Sequence, residues 1–144
     1  MNSINEYTFD EIKIGSKESF QIKITKNMED NFRNITGDLN PLHRDDGFAS
    51  KVSGGRYKAH VTFGMLTASL LSTLAGVYLP GKYSLIHSVD IGFQKPVYAD
   101  DIMTVEGEVR DKQDELKLLL LKVRIKNQDG DTVVKADMKV MVLK

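Results

Sequence analysis

The sequence predicts an α+β domain in which one curled antiparallel sheet wraps around a long central apolar helix. Three observations predict it. Val61 to Leu79 is rich in Leu, Val, Met and Ala and carries no charged side chain. Four segments after it alternate apolar and polar residues, the pattern of strands with one face buried and one wet. Before it, a short strand and two short helices lead in, so the elements are mixed rather than repeating as strand–helix units.

The elements follow in order. Phe20, Ile22 and Ile24 alternate with polar residues and read as a strand. Thr25 can cap a helix that begins near Lys26, with Met28, Phe32 and Ile35 on one face and Gly37 as its stop. Asp38 to His43 forms a proline-braced turn, and Asp45 to Lys51 a further short helix with Phe48 and Ala49 turned inward. The glycines of Ser53-Gly54-Gly55-Arg56-Tyr57 mark a loop. The buried helix is expected from about Thr62 to Gly76, stopped by Leu79-Pro80-Gly81.

Four alternating sets then give the sheet. These are Val89, Ile91 and Phe93; Met103, Val105 and Val109; Leu119, Leu121, Val123 and Ile125; and Val134, Ala136, Met138, Val140 and Val142. Asp129-Gly130 makes the last hairpin turn, and Asp111 to Asp114 is expected to join the pair before it. A helix of about 15 residues is roughly 22 Å long. A strand of about 8 residues spans roughly 27 Å, so the sheet can curl along the whole helix.

Bulk properties narrow the function classes. At 144 residues the chain fits one domain, read as 1–144, with no repeat, linker or low-complexity stretch. Twenty basic and twenty acidic residues cancel, against a general nucleic-acid or anionic-membrane surface. The absence of cysteine excludes disulfides and thiolate catalysis. Met1 to Asp10 lacks the basic start and apolar run of a secretory signal, so a cytoplasmic location is the default expectation. Val61 to Leu79 approaches the roughly 20 residues that span a bilayer. Its Thr62, Gly64, Thr67, Ser69, Ser72, Thr73 and Gly76 instead favour the middle of a protein core.

The chemistry-bearing residues concentrate at two places. Asp38 and His43 stand at the two ends of a turn stiffened by Pro41. A carboxylate and an imidazole at fixed separation can handle one water molecule, but Asp and Asn in such turns also bond their own backbone. Spacing alone admits both readings. Phe63-Gly64-Met65 begins the apolar helix, where the first amides have no internal acceptor and carry partial positive charge. The Gly64 N–H could receive an oxygen that becomes negative, and Gly64 could equally serve close packing alone. Ser69 and Ser72 could each bond the carbonyl one turn back or orient a carboxylate. His60 reads as a loop residue and His87 as a strand residue. Asp38, His43, Asp45 and Asp46 match no strong metal-ligand spacing, so no metal and no cofactor are expected.

Taken together, Ile35-Thr36-Gly37-Asp38-Leu39-Asn40-Pro41-Leu42-His43, the Gly54-Gly55-Arg56 loop, Gly64 to Ser72, Leu79-Pro80-Gly81, Phe93-Gln94-Lys95-Pro96-Val97 and the opening Phe9 to Gly15 resemble the MaoC-like or (R)-specific enoyl-CoA hydratases. The likeness covers nearly the whole chain in order. It implies a hotdog fold, a homodimer or dimer of dimers, and reversible hydration of a trans-2-enoyl-CoA to a (3R)-3-hydroxyacyl-CoA. By position it implies that Asp38 and His43 hold the catalytic water and that the Gly64 N–H takes the thioester oxygen. It further implies that Ser72 supports the aspartate and that Asn40 braces the turn. Phe63 and Met65 fall beside the substrate. Members commonly carry His where this chain has Phe63, and His60 does not align with that position. The substrate is expected on CoA or on an acyl-carrier protein; a non-catalytic acyl-CoA-binding protein is the alternative outside enzymes. Ala75 and Gly76, small and one turn past Ser72, are expected to leave acyl space.

Overall fold

The computed structural model describes residues 3–144, so Met1 and Asn2, part of the polar start discussed above, lie outside the described residues. In chain order the elements are β1 (Lys17–Lys23), α1 (Lys26–Thr36), α2 (Asp46–Val52), α3 (Gly64–Thr73), β2 (Ser84–Phe93), β3 (Ile102–Gln113), β4 (Leu118–Lys126) and β5 (Thr132–Val142). The strands form one sheet in the order β1-β3-β4-β5-β2, with every neighbour antiparallel. This is the sheet-around-helix arrangement the sequence predicts.

The caps of α1 are the expected ones. Thr25 Oγ1 accepts the Met28 N–H, and Gly37 closes the helix with φ of 72°. The inward faces of β3, β4 and β5 also follow the alternation, with Met103, Val105, Leu121, Val123, Met138 and Val140 fully buried against Leu70, Leu71 and Leu74 of the central helical segment. Gly107 lets that segment seat on the sheet, because a Cβ there would lie 2.8 Å from Leu74 Cδ2. The Asn127–Asp131 turn joins β4 to β5, with Asn127 Oδ1 accepting the N–H groups of Asp129 and Asp131.

Several details differ from expectation. The α-helix starts at Gly64 rather than Thr62 and gives way at Leu74–Tyr78 to a π-helical turn. It is not covered all round: Met65, Ser69 and Ser72, spaced by four and three residues, form an exposed stripe. Among the described residues no helix is long and apolar enough to cross a membrane. Ile35 is 82% exposed, and the residue α1 buries beside Met28 and Phe32 is Glu29. Ala49 is buried but Phe48 is exposed. β3 continues through a bulge at Val109/Asp111 as far as Gln113, so Asp111 lies in the strand and not in the turn. β2, at the sheet edge, leaves Leu85, Ile86, Val89 and Phe93 exposed.

Candidate active site

The turn after α1 is built from side chains bonding the backbone just ahead of them. The Asp38 N–H donates to Thr36 Oγ1 at 3.2 Å, Asp38 Oδ1 accepts the Asn40 N–H at 3.0 Å, and Asn40 Oδ1 accepts the Leu42 N–H at 3.0 Å. Pro41 then opens a single 3₁₀ turn, Pro41–His43. Asp38 Oδ1 therefore braces the turn, as the local-structure reading expects, and the residue also lines a cavity. Asn40 acts through the backbone, on both sides of Pro41.

His43 is oriented by one bond. Its Nδ1 lies 2.8 Å from the carbonyl oxygen of Val61. A carbonyl can only accept, so Nδ1 carries the hydrogen, and in the neutral ring the lone pair sits on Nε2. Backbone bonds hold the two segments together, with the Val61 N–H donating to the Leu42 carbonyl at 3.0 Å. The imidazole packs on the Phe63 ring, centroids 4.5 Å apart and tilted by 33°. Phe63 itself is only 2% exposed. It packs against Phe32, centroids 4.9 Å apart and tilted by 47°, and lies under the Arg33 guanidinium, which donates to the His43 carbonyl. Phe63 is thus a packing platform for His43.

Phe63 is also the N-cap of α3 and offers no side-chain cap, so the helix's first amides are left for another acceptor. A Cβ on Gly64 would lie 3.1 Å from Phe93 Cε1, so glycine here lets that ring close over the helix start. Two cavities meet at this point. One, about 480 Å³ and mainly apolar, is lined by Phe32, Thr36, Asp38, His43, Phe63, Gly64 and Met65. The other, about 260 Å³, takes in His43, Tyr57, Gly64, Thr67, Gln94 and Lys95. His43 and Gly64 line both.

The structure therefore brings Asp38, His43, Phe63, Gly64 and Met65 to one cavity, with Asn40 bracing its wall. It does not bring Ser72 to Asp38 within one chain. Ser72 is exposed on α3 eight positions beyond Gly64, roughly 12 Å along the axis at about 1.5 Å per residue. Ser69 takes the backbone option, its Oγ donating to the Leu66 carbonyl at 2.6 Å. Ala75 is buried in the core, and neither it nor Gly76 lines the two cavities. Asp45 Oδ1 caps α2 through the Phe48 N–H, and among the described residues no cluster of three or more His, Asp or Glu side chains could hold a metal.

One polar cluster was not visible in the sequence. His60 Nδ1 lies 2.7 Å from Asp46 Oδ1, and its Nε2 lies 3.1 Å from both oxygens of the buried Glu29. Thr62 Oγ1 donates to Glu29 Oε2 at 2.9 Å. Burial pulls the His60 pKa down, but hydrogen bonds to Asp46 and Glu29 and their charges outweigh it and raise the pKa overall. Hydrogen bonds from the His60 backbone and ring hold Asp46 below the usual carboxylate value. The available signal was Glu29 itself, a carboxylate on the apolar face of α1 that needs a cation or donor.

Comparison with known proteins shows the family and the fold. A family model described as the MaoC like domain matches residues 10–130. The chain is 36% identical over 103 residues to the (R)-specific enoyl-CoA hydratase of Aeromonas caviae, spanning 72% of this chain and 75% of that protein. It is 35% identical over 101 residues to the 3-hydroxybutyryl-CoA dehydratase of Methylorubrum extorquens, spanning 70% of this chain and 62% of that relative, less than two thirds of its length. Among solved structures, the unliganded R-hydratase of Pseudomonas aeruginosa superposes with a TM-score of 0.88 at 26% identity, covering 98% of this chain and 88% of that one. The (R)-hydratase of A. caviae superposes with a TM-score of 0.84 at 30% identity, covering 91% and 97%.

Proposed function

Because the chain belongs to the MaoC-like family, with its hotdog fold, we propose that it is a hydro-lyase catalysing the reversible hydration of a trans-2-enoyl-CoA to a (3R)-3-hydroxyacyl-CoA. The observation that carries this reading is the Nδ1–H bond from His43 to Val61. It leaves the lone pair of the neutral ring on Nε2, and His43 lines a cavity together with Asp38 and Gly64.

In this reading one water lies between Asp38 and His43 Nε2. The thioester carbonyl oxygen accepts the Gly64 N–H. Water oxygen forms a bond to C3 as the C2=C3 π pair moves toward the thioester, and one member of the Asp38/His43 pair takes the water proton. The pair then returns a proton to C2 on the same face, giving syn addition and restoring the protonation states. Such acid–base assistance is typically worth about 10²–10⁴-fold. A single amide facing the enolate-like oxygen is worth roughly 3–4 kcal/mol.

Two features support a homodimer. The edge strand β2 leaves Leu85, Ile86, Val89 and Phe93 exposed, and α3 leaves its Met65–Ser69–Ser72 stripe open. A second copy laid on these faces would close the cavity mouth beside Met65. The dimer also gives Ser72 a setting in which it can support the aspartate, which the single chain does not provide.

The test uses crotonyl-CoA and longer 2-enoyl-CoAs, whose conjugated enoyl-thioester absorbance disappears on hydration. The reading requires that absorbance to fall with purified protein. Unchanged absorbance at every chain length rejects the CoA substrate and turns the test to the same acyl groups on a carrier protein.

A further inference from the structure

We infer that His60, held between Glu29 and Asp46, is a positioning residue that sets the tautomer and aim of His43. The connection runs through one peptide. His60 and Thr62 flank Val61, whose carbonyl receives the His43 Nδ1–H. Asp46 Oδ1 accepts both the His60 backbone N–H at 2.8 Å and its Nδ1–H at 2.7 Å. Both oxygens of Glu29 face His60 Nε2, and one of them also takes the Thr62 hydroxyl. The Thr62 N–H donates to the Val97 carbonyl at 2.7 Å. Three successive residues are therefore pinned, with the Val61 carbonyl between the two anchored side chains.

The anchors matter as much as the anchored segment. Glu29 belongs to α1, whose end at Gly37 leads directly into Asp38. Asp46 opens α2, immediately after the turn that carries His43. One imidazole thus ties together the helix that presents Asp38, the helix that follows His43 and the peptide that orients the His43 ring. Both His60 nitrogens face carboxylate oxygens, so both carry hydrogen when both bonds are made. A neutral His60 can keep only one of them. Loss of either bond frees the Val61 carbonyl to shift, and with it the donor constraint that keeps the His43 lone pair on Nε2.

The kinetic part of this inference rests on the hydratase reading; the spectroscopic part does not. Asp46→Ala removes an exposed side chain and leaves the core intact, and His60→Gln is the second variant. In protein labelled with ¹⁵N at its three histidines, wild-type His43 should show one protonated and one unprotonated ring nitrogen, with Nδ1 protonated. In each folded variant those two signals should move toward their mean as the tautomers exchange. The turnover number on an enoyl-CoA should fall roughly tenfold, a fraction of the 10²–10⁴-fold that acid–base help supplies, with KM changed less than about twofold. His43 signals unchanged in Asp46→Ala, with turnover also unchanged, would overturn the inference and leave the cluster as a support of the fold alone. Should wild-type protein hydrate no thioester, the hydratase reading fails while the nitrogen signals still decide the positioning claim.

Discussion

The Nδ1 of His43 and the carbonyl oxygen of Val61, 18 residues apart in sequence, lie 2.8 Å apart. That pair gives the neutral ring a defined tautomer, with the lone pair on Nε2, because a carbonyl can accept a hydrogen but never donate one. His43 also lines the cavity shared with Asp38 and Gly64.

Under the proposed function, removing the side chain of Asp38 or His43 should abolish most activity without unfolding the protein. Asp38→Asn and His43→Gln are each expected to lower turnover by about 10²–10⁴-fold. The double variant should lose little more than either single, because groups that share one water act as a unit. Steady-state rates on one enoyl-CoA measure all three, and multiplicative losses would assign the two residues independent roles.

Gly64 permits a test that separates its amide from its size. It is the first residue of α3, where proline is tolerated, and Phe63 before it has φ of −52° and ψ of 121°, a conformation compatible with a following proline. Gly64→Pro should fold and lose about 10²–10³-fold in turnover, the usual cost of one oxyanion donor. Gly64→Ala keeps the amide and adds only a Cβ, 3.1 Å from the half-exposed Phe93 ring, which can turn away. Its loss should be at least about tenfold smaller than that of the proline variant if the amide is what matters. Equal losses would point to crowding.

His60 predicts a pH dependence of stability. Its pKa is raised in the folded protein, so its contribution is fully present below the ordinary histidine value and is lost as pH rises through the folded value. The groups facing it are Glu29 on α1 and Asp46 on α2, with Lys26 close enough to act on Asp46. Melting temperatures of wild type and His60→Gln should differ most at mildly acidic pH and converge as pH rises above the histidine range. A difference that widens with pH would contradict the charged cluster.

Placing at Phe63 the histidine that the sequence resemblance implies there should weaken the protein. The position is buried between Phe32, His43 and the Arg33 guanidinium, so an imidazole there would replace ring contacts with a polar group beside a cation. A buried polar group left unsatisfied costs about 1–3 kcal/mol, so Phe63→His should lower the urea midpoint by the corresponding amount. A midpoint unchanged from wild type would mean the ring platform is dispensable.

How far the sequence carried the structure depends on the range of the interactions involved. The caps of α1, the alternation of β3 to β5 and the braced turn at Asp38 were legible because each is decided by neighbours within a few residues. Phe48, expected inward, is exposed, and Ile35 stands open on its helical face, because apolar spacing marks a face but not whether anything packs on it. The open stripe on α3 was missed for the converse reason: its composition is that of a core helix, and the sheet of one chain covers only part of it. The site's residue types were readable from a motif, but its working geometry was not. Val61 offers only a carbonyl, and His60 meets Glu29 across 31 residues of sequence.

The central claim is that Asp38 and His43 together add one water across an enoyl thioester. Hydration of crotonyl-CoA in heavy water tests it most directly, with product configuration and the position of deuterium read in the same sample. Wild-type protein should give (3R)-3-hydroxybutyryl-CoA with deuterium delivered to C2 on the face that receives the hydroxyl, and Asp38→Asn should give almost none. A (3S) product, anti delivery of deuterium, or undiminished turnover in the Asp38→Asn protein would contradict it.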